Sequence, residues 1–169
     1  MSQTHEINPP KGPYQRIVER LSIQTAQVGN QGGAGEPEFT TADMARATAG
    51  LGQKDEIAAL LPGVMREEAP AVNRCCQVLD LWGWTRWRID WPDKQITGAL
   101  HGRLAAAVVA DYQAGGKGYP ISQIRDYLKV SGRRFTSLAP HWYALQKRLQ
   151  EAEGELVHHL RQQLRREVA

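Results

Sequence analysis

Two adjacent cysteines, five histidines and a few carboxylates are the residues of this chain whose types could do chemistry, and their spacing organises little of it. Cys75 and Cys76 are neighbours. On a helix their side chains point about 100° apart, which excludes an ordinary disulfide between them. No third cysteine completes a thiolate zinc site, so they read as buried or half-buried thiols in a reducing compartment. His5, His101, His141, His158 and His159 fall without ligand spacing. Asp90, Asp93 and Asp111 are single carboxylates. Glu151, Glu153 and Glu155 spread around an exposed helix, where nothing would desolvate them or raise their pKa. Ser131 has no histidine and carboxylate near it in sequence. The stretch Gly115–Gly118 lacks the G-x-x-x-x-G-K-[ST] pattern of a phosphate loop and follows no strand, so it reads as a helix stop. These residues predict no enzyme, no metal site and no cofactor.

A different kind of pattern lies between Ile121 and Leu138. A helix-turn-helix needs a short apolar first helix, a tight turn, and a polar, basic start to a second helix that enters the major groove. Ile121, Ile124 and Leu128 supply the first helix. Lys129, Val130 and Ser131 supply the turn, with Val130 buried and Ser131 as N-cap. Arg133, Arg134, Thr136 and Ser137 then open the second helix, while Phe135 and Leu138 face inward. Arginine suits guanine or phosphate, and the hydroxyls suit backbone or base contacts. Arg125 and Lys129 flank the unit as phosphate contacts. Pro140 follows only nine residues after the cap, so the second helix is expected to be short or to break there. A plain helical hairpin with a basic outer face is the competing reading.

The second pattern is aromatic: Trp82, Trp84, Trp87 and Trp91, interleaved with Arg86, Arg88 and Lys94. Such residues stack on single-stranded bases, and they also fill small cores and partner interfaces. On a helix Trp84 is not expected to share a side with Trp82 and Trp87, so at least one tryptophan is expected to be exposed or interfacial. The residues proposed for that surface are Trp82, Trp84, Arg86, Trp87 and Trp91.

The elements that must carry these groups are helical. Residues 1–13 hold three prolines and little that is apolar, and read as a tail. Tyr14 to Val28 fits a helix with Tyr14, Ile17, Val18 and Leu21 on one face, which either docks or stands apart as an arm. Four glycines and a proline between Gly29 and Pro37 read as a linker. The division expected is therefore a flexible region 1–38 and a helical domain 39–169. In that domain the signals predict short helices from Thr41 to about Gly50 and from Asp55 to Leu61, the latter stopped by Pro62. A longer one runs from Pro70 to about Ile89, ended by Trp91, Pro92 and Asp93. Another is capped by Thr97 and carries Leu100, Leu104, Ala107, Val108 and Tyr112. The last runs from Pro140 to about Glu167, with Trp142, Leu145, Leu149, Ala152, Leu156, Leu160 and Leu164 inward, and is able to serve as a homodimer contact. No run alternates with period two. The fold class expected is all-α, a small bundle with a helix-turn-helix-like segment at 121–138 and a long C-terminal helix.

Charge separates the two ends. Residues 1–80 carry 7 Lys/Arg against 10 Asp/Glu, whereas residues 117–169 carry 10 against 5. A basic end on a near-neutral chain is a footprint for phosphate. No window approaches the roughly 18 apolar residues of a membrane span, and the N-terminus lacks the basic and apolar regions of a secretory signal.

The C-terminal half resembles the phage Q-type antitermination proteins. The elements that carry the resemblance are the tryptophan-rich Leu81–Trp87, an alanine- and valine-rich helix ending in Asp111 and Tyr112, the small-residue loop, then Ile124–Ser131 and Leu149–Leu156. They span about residues 79–160. Some members carry a zinc-binding cysteine cluster, for which Cys75 and Cys76 cannot stand in, so the likeness is to the zinc-free branch. It implies a cytoplasmic DNA-binding regulator in a bacterial host cell that joins RNA polymerase and lets it read through terminators. The DNA contacts would be Arg125, Lys129, Ser131, Arg133, Arg134, Thr136 and Ser137. The rival reading is a protein–protein adaptor or inhibitor acting through the tryptophan patch; a small phage packaging or replication protein is a third.

Overall fold

The computed structural model describes residues 14–25, 41–90, 96–116 and 119–168. The tail 1–13, the linker 29–37, and Trp91, Pro92, Asp93, Lys94 and Lys117 lie outside them. The described residues form seven α-helices and no strand: α1 (Gln15–Thr25), α2 (Thr41–Ala47), α3 (Glu56–Met65), α4 (Ala69–Asp90), α5 (Gly98–Gln113), α6 (Ile121–Leu128) and α7 (Gly132–Val168). None of the helices is long and apolar enough to cross a membrane.

The element boundaries follow side-chain chemistry. The Asp55 carboxylate accepts from the Ala58 amide at 3.1 Å and caps α3, and the Thr97 hydroxyl accepts from the Leu100 amide at 3.2 Å and caps α5. Gly50, with φ +83°, turns the chain from α2 into a short 3-10 turn at Leu51–Gln53. After α5, Gly115 and Gly116 take positive φ, and their amides donate back to the carbonyls of Tyr112 and Asp111. The glycine loop, within its described residues, is thus a helix stop.

Two prolines do not act as the breakers that local rules expect. Pro62 lies inside α3, which continues to Met65, because Leu61, Pro62 and Val64 are all buried and their packing carries the helix past the missing amide. Pro140 lies inside α7, which is one helix of 37 residues, about 55 Å long. Phe135 and Leu138 before it, and His141, Trp142 and Leu145 after it, are all buried. Pro140 and Thr136, the residue one turn back whose carbonyl the proline cannot bond, are both exposed, so the missing hydrogen bond lies on the outer side of the helix.

The core is built around α4 and α7. α4 packs on α3, α5 and α7; α7 in turn packs on α1, α2, α3, α4 and α5, while α6 lies on α5. Leu79, Leu104, Leu145, Leu149, Leu156 and Leu160 form the central apolar cluster. The N-terminal helix docks: Ile17 and Leu21 are buried in the same cluster.

Glycines mark the closest approaches. A Cβ on Gly83 would lie 2.6 Å from Leu145 Cδ2 and 3.1 Å from the His101 ring, whereas a Cβ on Gly154, in the middle of α7, would meet nothing within 4 Å. Gly83→Ala is expected to cost about 1–3 kcal/mol through overpacking. Gly154→Ala should add up to about 1 kcal/mol through helix propensity. Urea unfolding followed by circular dichroism distinguishes the two, and equal midpoints would contradict the packing described.

Candidate nucleic-acid interface and buried polar centres

The segment from Ile121 to Leu138 forms helix, tight turn, helix. Ile124 and Leu128 are buried, but Ile121, expected inward, is 57% exposed; it is the first residue of α6. Lys129 adopts the left-handed conformation, φ 55° and ψ 45°, and closes α6. The Val130 amide donates to the Arg125 carbonyl at 3.1 Å, and Val130 is half-buried. The Ser131 hydroxyl accepts from the Arg134 amide at 3.2 Å, the N-cap its position predicts. Phe135 and Leu138 turn inward.

The outward residues are Lys129, Ser131, Arg133, Thr136 and Ser137, all exposed, with Arg125 and Arg134 half-buried. The Thr136 hydroxyl donates to the Gly132 carbonyl at 3.0 Å, leaving its oxygen to accept. The Arg125 guanidinium lies across the start of α7, where a Cβ on Gly132 would come within 3.2 Å of it, and Arg125 Nε is buried without a hydrogen-bond partner. A cation held at the positive end of a helix dipole is an arrangement that an anion relieves. Between Tyr119 and Gln150 there are six Lys/Arg and one acid, Asp126. Of these basic residues Arg148 is committed elsewhere, to Asp55 at 2.8 Å.

The tryptophans divide differently from their expected sides. Trp84 and Trp87, three residues apart, share a side of α4. Trp84 meets the ring of His101 edge-on at 5.5 Å, and Trp87 meets His141 at 4.2 Å. Trp87 is 7% exposed and belongs to the core. Trp82 is half-buried on the other flank, with the Arg86 guanidinium 4.9 Å and that of Arg148 5.9 Å from its ring. Of the described residues proposed for a partner surface, only Trp82, Trp84 and Arg86 therefore reach solvent, beside the exposed Leu81.

Two polar centres appear that residue spacing did not indicate. In the first, Asp80 of α4, His101 of α5 and His141 of α7 form a chain: His101 Nδ1 meets the Asp80 carboxylate, and His101 Nε2 lies 2.5 Å from His141 Nε2. With His101 donating to Asp80, its Nε2 accepts, and His141 must supply the hydrogen. Both rings are buried. Burial, and next the adjacent His101, push His141 down to about 3. The available signal was that each histidine falls within an inward stripe, His101 three residues before Leu104 and His141 three after Leu138.

In the second centre, Glu153 is not the solvated carboxylate expected. It is 6% exposed and accepts from the Tyr112 hydroxyl at 2.7 Å, Arg16 at 2.7 Å and Arg20 at 2.8 Å. Burial alone would raise its pKa, but the Tyr112 hydroxyl and the two guanidinium groups overcome that and hold it below the usual value. Arg16 also lies over the Tyr112 ring at 4.3 Å, and Arg161 donates to the Arg20 carbonyl at 2.9 Å. The centre latches α1 to α5 and α7. Cys75 is buried, Cys76 half-buried, and both are free thiols; burial pushes Cys75 up to about 12, so it is not a nucleophile. Among the described residues no group of three His, Cys, Asp or Glu could hold a metal ion.

No protein-family model matches the chain, and no curated protein or solved structure matches it either.

Two outcomes follow from the buried centres. His141 is held neutral in the fold, with a folded pKa near 3 against an ordinary 6.5. Its contribution is therefore complete above pH 6.5 and lost as pH falls towards 3, because the unfolded chain takes up the proton first. His141→Gln keeps a donor for His101, and its unfolding free energy should fall less steeply, by about 3 kcal/mol between pH 6.5 and 4. Parallel profiles would remove His141 from the acid transition. Glu153→Gln should loosen α1, speeding tryptic cleavage after Arg16 and Arg20 about tenfold while the core resists; unchanged cleavage would mean that Ile17 and Leu21 hold the helix alone.

Proposed function

We propose that the chain is a non-enzymatic DNA-binding transcription regulator of phage type, an antitermination factor that acts on bacterial RNA polymerase. The observation that carries the reading is the capped, basic helix–turn–helix unit, whose outward groups at Lys129, Ser131, Arg133, Thr136 and Ser137 share one end of the fold with the unpartnered Arg125 Nε. Guanidinium, ammonium and hydroxyl groups are the donors that phosphates and guanine edges take. The order of tryptophan-rich segment, small-residue helix, glycine loop, turn and long helix, in which the chain resembles Q-type antitermination proteins, supplies the choice of regulator.

One observation favours the adaptor as a second reading. Leu81 is 67% exposed beside half-buried Trp82 and Trp84 and exposed Arg86, the composition of a small interface core with an arginine anchor.

Capture of the tagged protein from bacterial lysate, with and without nuclease, separates the two. RNA polymerase recovered in both arms supports the regulator; a single different protein recovered regardless of nuclease overturns it. On DNA, Arg133→Ala should weaken binding by about 1–3 kcal/mol if Arg133 reads a base, and Lys129→Ala should lower the salt slope by about one. Affinity unchanged in both variants would take the turn out of the interface.

A further inference from the structure

We propose that the DNA-contacting surface extends well past the turn: the exposed face of α7 from Arg133 to Lys147 lies lengthwise along the major groove, with Tyr143 and Lys147 as its far contacts. This rests on the DNA-binding reading above and specifies how the duplex is held.

The face is defined by burial. Phe135, Leu138, His141, Trp142, Leu145 and Leu149 are buried on the core side. Arg133, the adjacent pair Thr136 and Ser137, Pro140, Tyr143 and Lys147, in steps of three or four, are all exposed on the other. Because α7 does not break at Pro140, these six residues share one continuous ridge. From Arg133 to Lys147 it covers about 21 Å, the length of roughly six base pairs. A helix with its side chains is about 10–12 Å across, and the major groove is about 12 Å wide.

Charge sets the limits of the ridge. The ridge carries the cations Arg133 and Lys147, there is no Asp or Glu from Gly132 to Gln150, and the sign then reverses with Glu151 and Glu155, both exposed. A solvated helix face ordinarily mixes both signs. Here the half next to the turn is complementary to phosphate and the next turn repels it. Pro140 adds neither charge nor a donor that would have to be desolvated. Tyr143, 63% exposed, presents a hydroxyl donor one turn before Lys147. The same ridge does not suit a single strand, since stacking consecutive bases takes several aromatic rings and this face has one.

The test uses the full chain and a fluorescein-labelled 24-base-pair duplex of mixed sequence, with its isolated single strand as comparison, read by fluorescence anisotropy across a salt series. The wild type should bind the duplex more tightly than the strand at low salt. Lys147→Gln should weaken duplex binding about three- to tenfold and lower the salt slope by about one. Tyr143→Ala should weaken it about threefold or more, and Glu151→Gln should strengthen it, while Arg103→Gln, exposed on α5, should leave it unchanged. All four positions are exposed, and circular dichroism checks that each variant is folded. If Arg133→Ala weakens binding but Lys147→Gln and Tyr143→Ala do not, the lengthwise placement is wrong and the turn remains the contact. If the wild type does not bind the duplex at low salt, or prefers the strand, the DNA-binding reading fails and the placement with it.

Discussion

The continuity of α7 through Pro140 is the constraint on which the remaining architecture depends. A proline in a helix interior costs about 3 kcal/mol or more in lost hydrogen bonding and steric conflict, and the chain bears this to keep one inward stripe in register from Phe135 to Leu160. Were α7 to break at Pro140, the segment holding Phe135 and Leu138 would separate from the one holding Leu145 and Leu149, and the turn before Phe135 would no longer be held in register with the core. Burial on both sides of the proline, at roughly 25 cal/mol per Å² of apolar surface, outweighs a defect turned towards water. The same balance carries α3 past Pro62.

The core also contains polar side chains, and the contacts of His101, His141 and Glu153 join helices distant in sequence. The chain Asp80, His101 and His141 ties α4, α5 and α7 together; Glu153 ties α1 to α5 and α7 through Tyr112, Arg16 and Arg20. A buried carboxylate without such partners would cost several kcal/mol, so these contacts act less as surplus stabilisation than as a restriction on arrangement. Leucine against leucine tolerates a helix rotated or shifted by a residue. A histidine nitrogen facing another does not.

The helices were largely legible because their signals are local. Thr97, Asp55 and Ser131 precede apolar runs and each caps the helix that follows; Leu104, Val108 and Tyr112 repeat at helical spacing and are buried. The turn was legible for the same reason, since Lys129 and Ser131 act within four residues. What failed depended on distance. Glu153 looks solvated beside Glu151 and Glu155 until α1 brings arginines across more than 130 positions, and no pattern along the chain pairs His101 with His141 across 40. The tryptophans show the middle case: the spacing of three that puts Trp84 and Trp87 on one side lies in the sequence, but the histidines that side meets do not follow from it.

Position and rigidity meet on α7. His141 lies one turn beyond Ser137 and one residue beyond Pro140, so the bond that fixes the helix core-side is adjacent to the face proposed to meet DNA. A helix held by buried hydrogen bonds, apolar packing and an N-cap has little freedom left to lose on binding, which lowers the entropic cost of ordering the contact groups. Of the outward side chains, Thr136 is already tied to the Gly132 carbonyl. The rigidity that permits a proline in the spine is the same rigidity that would hold a ridge of contacts in fixed register against a regular duplex.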